Sequence, residues 1–245
     1  MATAAGGTVA GGTVAGVDGC RGGWLVVLAT ASPFAVTSVR VEPQVSALLA
    51  EVAAGRVATV AVDMPIGLSD DGPRPCDVAA RAALGARRSS VFPAPARCVL
   101  AARDYDHALR LSRASIGRGL SKQTWNLVPR IAELDGALDD VDDDARHRIH
   151  EAHPELAFTV LSGAPMRHPK RTGEGRRERL AVLRHGVADR WLVPAAVPEG
   201  AAPDDVLDAS VLALRAAQWL HGSPPPVVLG SGEVDPLGRR MEICG

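Results

Sequence analysis

The sequence predicts an α/β protein built on a mixed sheet, and three observations carry that reading. Three strand-length apolar or alternating runs open the chain; a helix separates the third from a fourth run; and that fourth run is apolar enough to be covered on both faces. A helical connection between strands implies at least one parallel pair.

The elements follow in order. Residues 1–12 repeat the unit GGTVA in small residues and read as a disordered lead-in, the unit being too short for a repeat architecture. Residues 13–245 then read as one domain. Thr13 to Asp18 begins the first strand and runs into the glycine-rich stretch Gly16 to Gly23. Trp24 to Thr30 (WLVVLAT) is a buried strand, and Phe34 to Val41 alternates with β-branched residues as a third. A helix is expected over Val45 to Ala54, closed by Gly55, and a fourth strand over Val57 to Asp63, stopped by Pro65.

Residues 69–145 read as a mainly helical insertion, with Cys76 or Asp77 capping a helix that runs to Leu84 and Gly85. The acidic run Asp139 to Asp144 reads as a solvated turn, because it lacks the Gly and Glu of a calcium loop. Arg148 to Ala152 is a fifth strand ending at His153-Pro154, and Arg177 to His185 a basic helix closed by Gly186. Asp204 to His221 is a long helix capped by Asp204 and ended by Gly222. It is apolar almost all round, so it should lie buried against the sheet.

Composition excludes several classes. The 245 residues are 47% hydrophobic and 22% charged, which is globular and not disordered. No apolar run reaches the ~18 residues that cross a bilayer. Only 3% are aromatic, which argues against a surface built to stack single-stranded bases. Cys20, Cys76, Cys98 and Cys244 lack C-x-x-C spacing and read as core or surface thiols in a reducing cytoplasm, not as zinc ligands. The N-terminus lacks the pattern of a signal peptide.

The net charge of −1 conceals a segregation. Residues 81–130 carry ten Arg and Lys against two Asp, and residues 167–190 carry eight against three acids. Two basic segments on an acidic scaffold suit a polyanion such as nucleic acid, or are simply solvated helix surface.

Carboxylates stand where chemistry is plausible. Asp18 and Asp63 close the first and fourth strands, Glu151 lies at the end of the fifth with Glu155 behind it, and Asp205 and Asp208 share a face of the last helix. Carboxylates gathered at one sheet edge repel one another unless a cation sits between them. Magnesium or manganese fits such oxygens and shares them with substrate phosphates. Each acid also has a structural reading: a helix cap for Asp204 or Asp205, turn amides for Asp63, an arginine partner for Glu151.

The motifs G-V-D-G-C-R-G-G-W (Gly16 to Trp24), D-M-P-I-G-L (Asp63 to Leu68), R-R-S-S-V-F (Arg87 to Phe92), E-A-H-P-E (Glu151 to Glu155) and D-D-V-L-D-A (Asp204 to Ala209) resemble the domain-of-unknown-function family 429. The resemblance covers nearly all of the chain after the lead-in. It implies an RNase H-like fold, a five-stranded mixed sheet with flanking helices, and a nuclease of that superfamily. There, acids on the first strand, the fourth strand and a C-terminal helix bind divalent metal. Asp18, Asp63 and Asp208 match those places, and Asp205 completes a D-x-x-D pair like that of Holliday-junction resolvases. Glu151 has no clear superfamily counterpart.

Arg87-Arg88-Ser89-Ser90 and Gly117 to Gln123, with Lys122, read as phosphate-reaching loops, though neither is a P-loop; Lys170 either faces the site or is solvated. His147, His150 and His153 would not share one face of a strand, so they make no zinc set; His153 could orient Glu151 or move a proton. The expected function is divalent-metal-dependent hydrolysis of a nucleic-acid phosphodiester, with Asp18, Asp63, Asp208 and Glu151 at the metal or the chemistry. Two other readings remain open: an ATP-dependent phosphotransferase using Asp18-Gly19 and Gly22-Gly23, and a non-catalytic regulatory or binding domain.

Overall fold

The structure is a computed structural model that describes residues 12–186, 197–222 and 225–245. Residues 1–11 of the expected lead-in lie outside them. β1 (Thr13–Cys20), β2 (Gly23–Ala31) and β3 (Phe34–Glu42) form an antiparallel meander. Then α1 (Ser46–Ala53) crosses to β4 (Thr59–Asp63), which lies parallel to β1. Residues between β4 and the next strand fold as α2 (Pro75–Leu84), two 3-10 turns (Gly85–Ser90 and Arg97–Ala101), α3 (Tyr105–Ile116), α4 (Lys122–Ala137) and α5 (Asp143–His147). β5 (Ile149–Glu151) follows and lies parallel to β4. After it come α6 (Pro154–Ser162), α7 (Gly173–Gly186), α8 (Pro203–Leu220) and a small antiparallel pair, β6 (Val228–Leu229) and β7 (Ile243–Cys244). The main sheet has five strands in the order β3-β2-β1-β4-β5, an α/β arrangement of RNase H-like type.

Strand alternation sends alternate side chains into two cores. Ala15, Val17, Trp24, Val26, Val60 and Val62 face Leu48, Leu49 and Val52 of α1 and Ile131 and Leu134 of α4. On the other face, Val14, Ala29 and Ala61 meet Val211 and Leu212 of α8, while Leu25 and Val27 meet Val206, Ala209 and Ala213. Each large aliphatic side chain so buried contributes roughly 1.5–3 kcal/mol. As its sequence predicts, α8 is buried along the whole of Val206–Ala217. Gly16 makes its approach possible: a Cβ there would overlap the Ala209 carbonyl and the Ala213 amide.

Several local expectations are corrected. The cap of α8 is Ala202, with Pro203 at the first turn, and it is Asp205, not Asp204, whose carboxylate accepts from the Ala202 amide (2.8 Å). Neither Cys76 nor Asp77 caps α2; its cap is Arg74, and Asp77 is turned toward Arg74 and the Ala94 amide. β4 starts at Thr59 because the Val57 amide still bonds the Glu51 carbonyl at the end of α1. In the acidic run, Asp142 caps the short helix α5 by accepting from the Ala145 amide (2.7 Å). The chain does not merely leave β5 at His153-Pro154, for Pro154 opens α6, where a missing amide costs nothing.

Candidate active site

Asp18 and Asp63 are register partners in the parallel β1–β4 pair. Parallel strands lie about 4.8 Å apart, so the two carboxylates leave the same face of the sheet as immediate neighbours. That face is the one α8 covers, and Asp208 on α8 comes down onto it where Gly16 lets the helix close in. Asp18 is 8% exposed and Asp208 2%, while Asp63 is partly buried. All three line one cleft of about 470 Å³ at the carboxyl ends of β1, β4 and β5, the usual place for a ligand in a parallel sheet.

The electrostatics follow from that crowding. Burial, then repulsion from Asp63 and Asp208, pushes the Asp18 carboxyl well above the usual carboxylate range. Burial also raises Asp63, opposed by its electrostatic interaction with the neighbouring His153 and Lys170. Asp208 is raised by burial to about 7 even though Lys170 pulls it down. The Lys170 ammonium is hydrogen-bonded to Asp208 and also attracted by Asp18 and Asp63, which together outweigh its burial and raise its proton affinity. Lys170 therefore faces the site and is not a solvated surface lysine.

Asp205 is one turn before Asp208 but is only half-buried, and its carboxylate is engaged by the Ala202 amide. Glu151 borders the cleft but does not join the three aspartates. Its register partner is Val62, so it leaves the sheet on the face opposite to Asp63. There it meets Arg74 in a two-pronged ion pair (2.7 and 2.8 Å) and accepts from the Ile66 amide (2.6 Å). Of its sequence readings, the structure takes the arginine partner.

The expected phosphate-reaching residues divide. Arg87 lines the cleft and donates to Glu155 (3.1 Å). Arg88 and Ser89 do not line it; Ser90 does so in their place. Lys122 is exposed, its ammonium 5.4 Å over the Tyr105 ring, and the neighbouring Gln123 reaches the cleft instead. The loop before α4 has a structural use, since Ser121 caps that helix (3.0 Å to the Thr124 amide). His153 lines the cleft beside Asp63, with Nε2 3.3 Å from the Ser90 carbonyl and a buried Nδ1 that has no partner among the described residues.

Residues that sequence reasoning did not single out complete the walls. Arg171 and Phe92 line the mouth, and Arg179, fully buried, holds Glu155 from behind. Arg74 ties Glu151 and Asp77 together and donates to the Ile66 and Gly67 carbonyls (both 3.1 Å), which holds the loop after Asp63. The i, i+3 spacing of Arg74 and Asp77 is the signal that could have found this pair.

The donor set fits a hard divalent cation. Two adjacent carboxylates, one of them buried with its proton affinity raised by burial and by its acidic neighbours, share with Asp208 the single ammonium of Lys170, which is hydrogen-bonded to Asp208. Magnesium is commonly held by one or two carboxylates with water and substrate phosphate. Among the described residues no three His, Cys, Asp or Glu side chains are placed to hold one ion. Asp18 and Asp63 would be the ligands, with Asp208 turned toward Lys170. No helix of the described residues is long and apolar enough to cross a membrane.

No curated protein and no solved structure matches the chain. A family model does: the one described as "Protein of unknown function (DUF429)" matches residues 16–228, a span that holds Asp18, Asp63, Lys170 and Asp208, and the chain belongs to that family.

Proposed function

We propose that this protein is a divalent-metal-dependent phosphodiesterase of nuclease type, cleaving a nucleic-acid phosphodiester in the cleft above Asp18 and Asp63. One observation carries the reading: two carboxylates in register at the end of the parallel β1–β4 pairing, beneath a third on α8, in a cleft edged with cations. β4 stops there, while β1, contrary to the sequence expectation, runs two residues further to Cys20. Magnesium or manganese held by Asp18 and Asp63 would supply charge to the phosphoryl oxygens and lower the proton affinity of an attacking water. The chain's own residues do the rest. Arg87, Lys170 and Arg171 face the cleft and would hold phosphate oxygens. His153 offers a ring nitrogen with no partner among the described residues for the proton that chemistry at phosphorus must move.

The exposed Arg103, Arg110, Arg113 and Arg118 make no ion pairs among the described residues, which suits a polymeric polyanion more than a small substrate. All four thiols are free, in keeping with a reducing cytoplasm. The glycines that suggested an ATP-dependent phosphotransferase are taken up by packing. The Gly22 amide donates to the Gly200 carbonyl (2.9 Å), and a Cβ on Gly23 would overlap the Glu42 carbonyl. That reading gains no support.

The test is cleavage of labelled single-stranded, duplex and branched DNA and RNA with magnesium or manganese. Activity removed by EDTA and by Asp18→Asn, with circular dichroism unchanged, is the expected result. No cleavage of any substrate, or full activity in the variant, would overturn the reading.

A further inference from the structure

We infer that Lys170 is the built-in second cation of this site: it works on the substrate phosphate beside a single divalent ion, where a two-metal site would place another ion. The inference rests on the phosphodiesterase reading above and specifies how that site is charged.

Residue choice is the first argument. The chain has 27 basic residues, of which only Lys122 and Lys170 are lysines. In so arginine-rich a protein, a lysine directed at carboxylates marks a need for a compact point charge, which a broad planar guanidinium does not supply. The second argument is the turn that presents it. The Thr172 amide and hydroxyl both donate to the Pro169 carbonyl (3.0 and 2.9 Å), and the Gly175 amide donates back to the Thr172 hydroxyl (3.0 Å). A Cβ on Gly175 would overlap the Pro169 carbonyl, so the closure of this turn on α7 depends on glycine. Lys170 thus sits on a braced turn at the start of a helix.

Donor counting is the third. Two ions about 3.5–4 Å apart need several shared carboxylates. Here Glu151 is bound to Arg74, Glu155 to Arg87 and Arg179, Asp205 to the Ala202 amide and Asp208 to Lys170. Asp18 and Asp63 remain, enough for one ion with water and phosphate. One ammonium and one divalent cation neutralise the three carboxylates, whereas a second divalent ion would leave surplus positive charge in a buried place. The Lys170 side chain is still 35% exposed and lines the cleft, so substrate reaches it.

Titration of the full chain with manganese alone, read by calorimetry and native mass spectrometry, tests this without relying on turnover. Wild type should bind one ion per chain. Lys170→Met removes the competing ammonium and should still bind one ion, about tenfold more tightly or better, because the three carboxylates lose the ammonium that offsets their charge. Two ions in the wild type, or an unchanged manganese affinity in K170M, would overturn the inference while leaving the phosphodiesterase reading standing; no binding by the wild type would overturn both. If K170M fails to fold, the wild-type stoichiometry decides alone.

Discussion

Glu151 and Arg74 meet in a paired ion bridge of 2.7 and 2.8 Å, with side chains 6% and 2% exposed, on the sheet face opposite to Asp18 and Asp63. An ion pair so buried is costly to break on one side, because the surviving charge keeps no partner. Arg74→Ala, which strands both Glu151 and Asp77, should lower unfolding free energy by roughly 3–5 kcal/mol in urea titration. Arg74→Met with Glu151→Leu should cost clearly less than the two single changes added together. A Glu151→Gln variant that folds normally yet abolishes cleavage at saturating metal would return Glu151 to the chemistry.

Gly16 sets the height of α8 above β1. Gly16→Ala forces the helix backbone outward, since the new methyl would overlap the Ala209 carbonyl and the Ala213 amide. Overpacking of this kind costs about 1–3 kcal/mol or more. Because Asp208 rides on the same helix, cleavage should fall further than stability, measured as the loss of kcat at a temperature where the variant is fully folded.

Asp18 keeps a proton affinity raised by burial and by its acidic neighbours, so its charge weighs against folding when no cation is present. Asp18→Asn should therefore raise the melting temperature of the metal-free protein by about 2–4 °C, the shift that ~1 kcal/mol produces in a chain of this size. The same variant should lose the stabilisation that manganese confers on the wild type. Differential scanning calorimetry with and without manganese reads both, and a lower metal-free melting temperature would contradict the electrostatic account.

His150 packs edge-on against Trp219 (5.8 Å between ring centres), and burial, assisted by the charges of Arg240 and His147, lowers it from 6.5 to about 4. The unfolded chain then binds the proton that the folded one refuses. Stability contributed by the neutral ring is present above pH 6.5 and is lost as the pH falls toward 4, by on the order of 3 kcal/mol. His150→Phe should flatten that part of the stability–pH curve.

Polymer binding should depend on α3. Arg110→Glu with Arg113→Glu should weaken nucleic-acid binding and reduce its salt slope, by roughly 0.7–0.9 for each phosphate that the arginines no longer neutralise. Hydrolysis of a small phosphodiester in the cleft should stay unchanged. Equal losses on both substrates would mean that α3 acts on the site and not on the polymer.

Much of this is legible along the chain because it is local. Strand-length apolar or alternating runs mark β1 to β4, and glycines mark the ends of α1, α2 and α8. An Asp closing each of two buried strands points at the site without any coordinates. Elements whose signals have two meanings are harder: Pro154 reads equally as a strand stop and as the first residue of a helix, and α6 escapes the sequence reading on that account.

What the sequence determined by itself is therefore the α/β class, the family motifs, and the strand-end aspartates with Asp208 on one face of α8. Only the tertiary structure decided that Glu151 belongs to the other face, that Lys170 and not Lys122 enters the cleft, and that Ser90 lines it in place of Ser89. The physical reason is register. A strand's two faces differ by a single residue, and which one meets the site depends on pairing with partners such as Val62, far away in the chain, that no local pattern encodes.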